Sequence, residues 1–178
     1  MVLSATVTTG SFGKQGTKMA DRKHHYSTHL IWIGGKESTG SFRSHIRAYE
    51  ISAPGKPVIA GSSDVAFRGD AGRWNPEDLL VASLSACHKL WYMGLCAAAG
   101  IVVLAYEDTA DGTMVEEETG GGGQFVKVTL RPRVTLAPGS DRQKAKLLHH
   151  TAHENCFIAR SVNFPVSHDP VVEIATAT

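Results

Sequence analysis

Asn75-Pro76-Glu77-Asp78-Leu79-Leu80, continuing without a break as Val81-Ala82-Ser83-Leu84-Ser85-Ala86-Cys87, carries the signals of a helix start and sets a thiol three turns inside it. Asn75 is a strong N-cap, Pro76 suits the first helical position because its missing N–H is harmless there, and Glu77 and Asp78 set negative charge against the helix dipole. Leu80, Leu84, Cys87, Trp91 and Leu95 follow at the spacing of a core face. An inert buried thiol is the plain reading of that stripe, since free cysteine is among the most buried residue types. The apolar run from Leu79 to Gly100 is long enough to resemble a membrane span, but His88 and Lys89 stand at its centre. A lysine there would cost about 2.5–3.5 kcal/mol on insertion, so a buried central helix is expected and no membrane partner, a membrane span being the lesser alternative.

Outward from this helix, His24–Ile33 alternates apolar and polar residues and ends at Gly34-Gly35, Ser44–Ser52 repeats the pattern, and a short extended piece surrounds Pro57-Val58-Ile59. Gly61–Trp74 reads as the loop that enters the helix. Beyond Gly100, Ile101–Ala110 and Gln124–Leu136 are strand-like, separated by Asp111-Gly112 and by the glycine run 120–123, a hairpin loop because a strand follows it rather than a helix. Ser140-Asp141 caps a helix running to about Ser161, and Val171–Ile174 is a last strand. The order β-β-β-α-β-β-α-β is that of an α+β fold.

The chain has 178 residues, 42% of them hydrophobic, a net charge of +1 without long single-sign runs, and three cysteines. That length supports one domain, read over residues 21–178, while residues 1–20, rich in Ser, Thr and Gly, read as a disordered extension in which Met19 is a second candidate start. No clustered basic face points to nucleic acid. Three widely spaced cysteines make neither a secreted disulfide scaffold nor a CxxC zinc site, so a reducing, cytoplasmic setting is expected.

The second chemically interesting stretch is Ala152-His153-Glu154-Asn155-Cys156-Phe157-Ile158-Ala159-Arg160-Ser161-Val162, in which Cys156 shares a helical face with Leu148, Ala152 and Ala159. Cys96 falls on the opposite side of its helix from Cys87. His88 points about 100° away from its neighbour Cys87, so it is expected to satisfy a buried polar contact rather than to serve that thiol as a base. His149, His153 and Cys156, spaced i, i+4 and i+7, are a rival constellation that could hold Zn²⁺.

Taken together, the Asn-Pro-Glu-Asp-Leu-Leu…Ser-Ala-Cys motif and the stretch around Cys156 resemble the OsmC/Ohr family of thiol peroxidases, over roughly His24 to Ile174. Phe157 stands where the best-studied members have the proline of a Cys-Pro pair, which marks a divergent branch. The resemblance implies an OsmC-like fold, an intertwined homodimer whose long central helices are wrapped by antiparallel sheets. It also implies a peroxidase that reduces organic hydroperoxides to alcohols with an external dithiol reductant and no metal or organic cofactor. Carried onto this sequence, Cys87 attacks the peroxide, Cys156 resolves the sulfenic acid to a disulfide, an arginine stabilises thiolate and leaving group, and Glu77 orients that arginine. The family's arginine would fall at Ala66, so Arg68 is the choice, with Arg73, Arg43 and Arg47 also in reach. Glu77 stands about 15 Å of helix rise from Cys87 and so meets it only across a dimer. Trp74, Trp91, Tyr92 and Met93 are expected to wall the site. Two other readings are a non-catalytic dimer that binds a small apolar ligand and, from the histidine helix, a zinc-binding protein.

Overall fold

A computed structural model describes residues 22–34 and 45–176. The extension expected over residues 1–20, with Met19, and the candidate Arg43 lie outside the described residues. In chain order the elements are β1 (His29–Trp32), β2 (Tyr49–Ser52), β3 (Ile59–Gly61), α1 (Pro76–Ala98), β4 (Val103–Asp108), β5 (Asp111–Glu116), β6 (Gly123–Leu130), β7 (Pro132–Leu136), α2 (Arg142–Asn155), β8 (Val166–His168) and β9 (Val171–Ile174). Short 3₁₀ turns occupy Val65–Phe67 and Ala159–Ser161. The strands form three-stranded sheets ordered β1-β2-β3, β4-β7-β9 and β5-β6-β8. The architecture is α+β.

The entry to α1 is built as its residue types dictate. Asn75 Oδ1 accepts the Asp78 N–H at 2.6 Å, and Asn75 Nδ2 donates to Asp64 Oδ2 at 3.2 Å, which ties the helix start to the preceding loop. The helix ends at Ala98, and Gly100, at φ 72°, turns the chain into β4. The buried face of α1 is Leu84, His88, Tyr92 and Cys96, rotated away from the expected stripe through Cys87 and Trp91. It packs on Ala145, His149 and Ala152 of α2, whose two alanines let the helices approach closely, and on Val134, Leu136 and Val172 of the β4-β7-β9 sheet. A second cluster joins Leu84 to Val128 and Leu130 of β6. Each large side chain so buried contributes about 1.5–3 kcal/mol. α1 is long and apolar enough to cross a membrane by length and composition, and one face of it, Leu84, His88, Tyr92 and Cys96, is buried in the core.

Four local differences from the sequence reading have physical causes. Asp111-Gly112 does not separate strands; it opens β5, which pairs with β6 across the glycine run, Glu116 opposite Gly123. The apolar stretch 124–136 is two strands in different sheets: Pro132 has no N–H for a ladder, and Arg131 at the break donates its N–H to Asp108 Oδ1 at 2.7 Å while its guanidinium pairs with Asp111. β8, absent from the sequence reading, runs parallel to β6, and β9 runs parallel to β7, so these two sheets are mixed rather than antiparallel. Finally, α2 stops at Asn155 rather than continuing to Ser161, and Cys156 is its extended C-cap residue (φ −65°, ψ 110°).

Candidate active site

The packing of α1 against α2 brings the Cys87 and Cys156 side chains together. Leaving the helix at Cys156 turns that side chain inward: its N–H donates to His153 O at 3.2 Å, and its sulfur accepts the Ala159 N–H at 3.4 Å. The Cys156 thiol is 1% exposed and interacts directly with the Cys87 thiol. Burial first, and then this interaction, pushes its pKa up to about 11. Cys87 is only half-buried, both thiols are free, and Cys87 opens into a cavity of about 410 Å³ lined also by Leu90, Trp91, Gly94, Leu95 and Phe157. Trp91 and Phe157 meet edge to face across it, ring centroids 5.5 Å apart.

Within one chain the other two expected site residues stand elsewhere. Glu77 borders a different cavity of about 740 Å³ together with Phe67, Trp74 and Tyr106. Its charge, after burial, helps raise the pKa of Tyr49, and its Oε2 is buried with no hydrogen-bond partner among the described residues. Arg68, in the left-handed region at φ 64°, closes the first 3₁₀ turn with its N–H on Val65 O and borders a third cavity with His45 and Arg47. Arg73 pairs with Asp70 at 3.5 Å.

Of the expected apolar wall, Trp91 is at the thiol. Trp74 lies in the Glu77 cavity, Met93 packs on the main core, and Tyr92 is buried there, stacked on His149 with centroids 3.8 Å apart. Leu90, Gly94, Leu95 and Phe157 were missed. The available signal was spacing: three, seven and eight residues on from Cys87, and one on from Cys156.

His88 makes the buried polar contact expected of it: Nε2 lies 3.0 Å from His149 Nδ1. His168 of β8 stands against both rings and leads outward to His153 and His150. Because His149 turns to His88 while Cys156 turns to Cys87, the proposed zinc constellation is not assembled; among the described residues no three His, Cys, Asp or Glu side chains are grouped to hold a metal ion. Cys96 sits in the core beside Tyr92, its pKa raised by burial.

Residues 69–170, more than half of the chain, match the family described as OsmC-like protein. The chain belongs to that family. An OsmC-like protein of unknown function from Vibrio cholerae is 28% identical over 84% of this chain and 100% of its own, with a TM-score of 0.76. An organic hydroperoxide resistance protein from Elizabethkingia anophelis is 19% identical over 86% of this chain and 100% of its own, with a TM-score of 0.60. The organic hydroperoxide resistance protein OhrB of Bacillus subtilis is 23% identical over 83% of this chain and 98% of its own, with a TM-score of 0.53. None of the curated proteins matches the sequence. The OsmC-like fold is thus shared over most of the chain, and family members include proteins of organic hydroperoxide resistance.

Proposed function

We propose that this OsmC-like protein is a thiol peroxidase that reduces organic hydroperoxides to alcohols in the cytoplasm, with Cys87 as the attacking thiol and Cys156 as the resolving one. One observation carries the reading: two free thiols in direct interaction, of which Cys87 alone opens into an apolar cavity. The Cys87 thiolate attacks the distal peroxide oxygen, the O–O bond breaks, and the alkoxide takes a proton to leave as alcohol. The Cys156 thiolate then attacks the sulfenic sulfur, a disulfide forms, and the displaced hydroxide is protonated to water. One peroxide and two thiols thus give one alcohol, one disulfide and one water, and an external dithiol restores the thiols.

In this reading the chain works as a homodimer in which Glu77 of one copy serves Cys87 of the other, through an arginine, Arg68. Two features support it. Glu77 Oε2, buried without a partner among the described residues, would accept a hydrogen bond from such a donor. The β1-β2-β3 sheet exposes Leu30, Ile31, Trp32 and Ile59, so apolar residues stand on both of its faces, and a second copy would cover them.

A non-catalytic reading, in which the cavity only holds an apolar ligand, is favoured by one observation: Arg68 stands away from Cys87 within the chain. Peroxide consumption in the presence of a dithiol separates the two. Cys87→Ser is expected to abolish turnover with the fold intact, while Cys156→Ser still consumes one equivalent of peroxide. A burst retained by Cys87→Ser and lost by Cys156→Ser would reverse the roles, and no consumption by the unmodified protein would leave the ligand-binding reading.

A further inference from the structure

α1 meets α2 through contacts of two kinds. Ala145 and Ala152 give α2 a smooth surface, and apolar packing of that sort is non-directional, so it favours no one position along the helix axis. The directional contacts centre on His149. Its Nδ1 lies 3.0 Å from His88 Nε2, the two buried rings are nearly parallel at 8°, and Tyr92, one turn on from His88, stacks on His149 as well. His88 follows Cys87 directly, and His149 stands about two helical turns before Cys156, so this hydrogen bond ties together the two segments that carry the thiols. It is kept at a cost. Whichever tautomers the pair adopts, His88 Nδ1 and His149 Nε2 are left buried with no partner among the described residues, a penalty that apolar side chains in both places would avoid. What an apolar seam would lack is a defined register, and setting register is the best attested use of a single buried polar contact between helices.

We propose that His88 and His149 are positioning residues of the thiol couple: their hydrogen bond fixes the register of α1 on α2 so that the Cys87 and Cys156 sulfurs can close into a disulfide. The inference rests on the two-thiol reading of the site and names what poises it. Closure tolerates little displacement. The sulfurs must come to about 2.05 Å with their Cα atoms roughly 4.4–6.8 Å apart, whereas a slip of one residue moves a helix by about 1.5 Å along its axis. A misplacement of about 1 Å costs on the order of a hundredfold between groups that must meet. Neither imidazole is a catalytic group here, since each acts through the helix that carries the thiol.

The test measures the effective molarity of the couple, from the equilibrium in which the protein dithiol and glutathione disulfide give the Cys87–Cys156 disulfide and two glutathione thiols. His149→Phe keeps a ring against Tyr92 and deletes the nitrogen. The double variant His88→Leu with His149→Phe removes both partners, so that no imidazole is left wanting one. His149→Asn deletes the ring and sets an amide where Nδ1 stood. Effective molarity should fall about tenfold or more in both phenylalanine proteins and stay within about twofold of the unmodified value in His149→Asn. Val172→Ala, which loosens the same core from the β4-β7-β9 sheet, should lower the urea midpoint and leave the effective molarity unchanged, and that separates register from stability. A folded double variant with unaltered effective molarity, or His149→Asn falling as far as His149→Phe, would overturn this inference and leave the peroxidase reading in place. If the phenylalanine proteins do not fold, His149→Asn still decides, because a tenfold fall in a folded protein that keeps the bond contradicts the proposal. An unmodified protein that forms the disulfide with glutathione but not with peroxide, its effective molarity still following residue 149, would remove the peroxidase reading and uphold the register role.

Discussion

Cys156 holds its proton tightly because it is buried and because the Cys87 sulfur adjoins it; its pKa stands at about 11. At neutral pH such a thiol is almost entirely protonated. Disulfide formation requires the thiolate, and burial, the larger cause, persists once Cys87 is a sulfenic acid, so the resolving step should accelerate as the pH rises above neutral. Single-turnover oxidation, quenched by alkylation and mapped for the Cys87–Cys156 disulfide, measures that slope. A pH-independent rate would mean that another group removes the Cys156 proton or that Cys156 is not the resolving thiol. At this scale the sequence identified both cysteines through their surrounding motifs. That Cys156 leaves the helix to meet Cys87 was hidden, because the periodicity of Leu148, Ala152 and Ala159 continues across the break.

Between the helices, a row of imidazoles replaces what would ordinarily be an apolar seam. His88 and His149 are 1% and 0% exposed, their outward nitrogens Nδ1 and Nε2 have no partner among the described residues, and burial is the leading cause that lowers their pKa values to about 4 and about 3. His168, itself lowered by burial and by His153 and His150, adds to the effect, while Asp169 opposes it at His168 alone. Both buried rings are therefore neutral in the fold and would be charged in the unfolded chain below about pH 6.5. The folded pKa values lie below the unfolded one, so stability is undiminished above about pH 6.5 and falls as acid is added through pH 4 towards 3. Urea titrations at pH 7.5, 6, 5 and 4 should show a declining midpoint. The double substitution His88→Leu with His149→Leu, which removes both partners at once, should flatten that decline. An unchanged slope in the double variant would transfer the acid sensitivity to His168, His153 or the carboxylates. The sequence indicated a buried polar contact for His88. Its partner lies 61 residues further on and could be named only from the packing of α1 on α2.

For the whole molecule, the separation of Glu77 and Arg68 from the thiols within a chain is the decisive circumstance. Cys87→Ser and Glu77→Ala proteins, each inactive alone, should regain about a quarter of the unmodified activity after subunit exchange, because half of the dimers are mixed and each mixed dimer carries one intact site. Sedimentation establishes the oligomer, and tagged subunits verify exchange. Full activity in a monomer, or no recovery after verified exchange, would place the working site within one chain or remove Glu77 from it.

The sequence by itself determined the helix start at Asn75-Pro76, the cap at Asp141, the hairpin at the glycine run, the α+β class and the family, because each is written in local chemistry: a side chain that caps, a proline without an N–H, a glycine free to turn, a short motif with fixed spacing. Tertiary structure alone decided which face of α1 is buried, which strands pair in parallel, that Arg131 and Pro132 divide one apolar stretch between two sheets, and that Trp91 and Phe157 meet at the thiol while Trp74 and Tyr92 do not. These depend on contacts between residues far apart in the chain. No period of 2 or 3.6 encodes them, since helical phase and strand pairing are settled by what the finished core can bury.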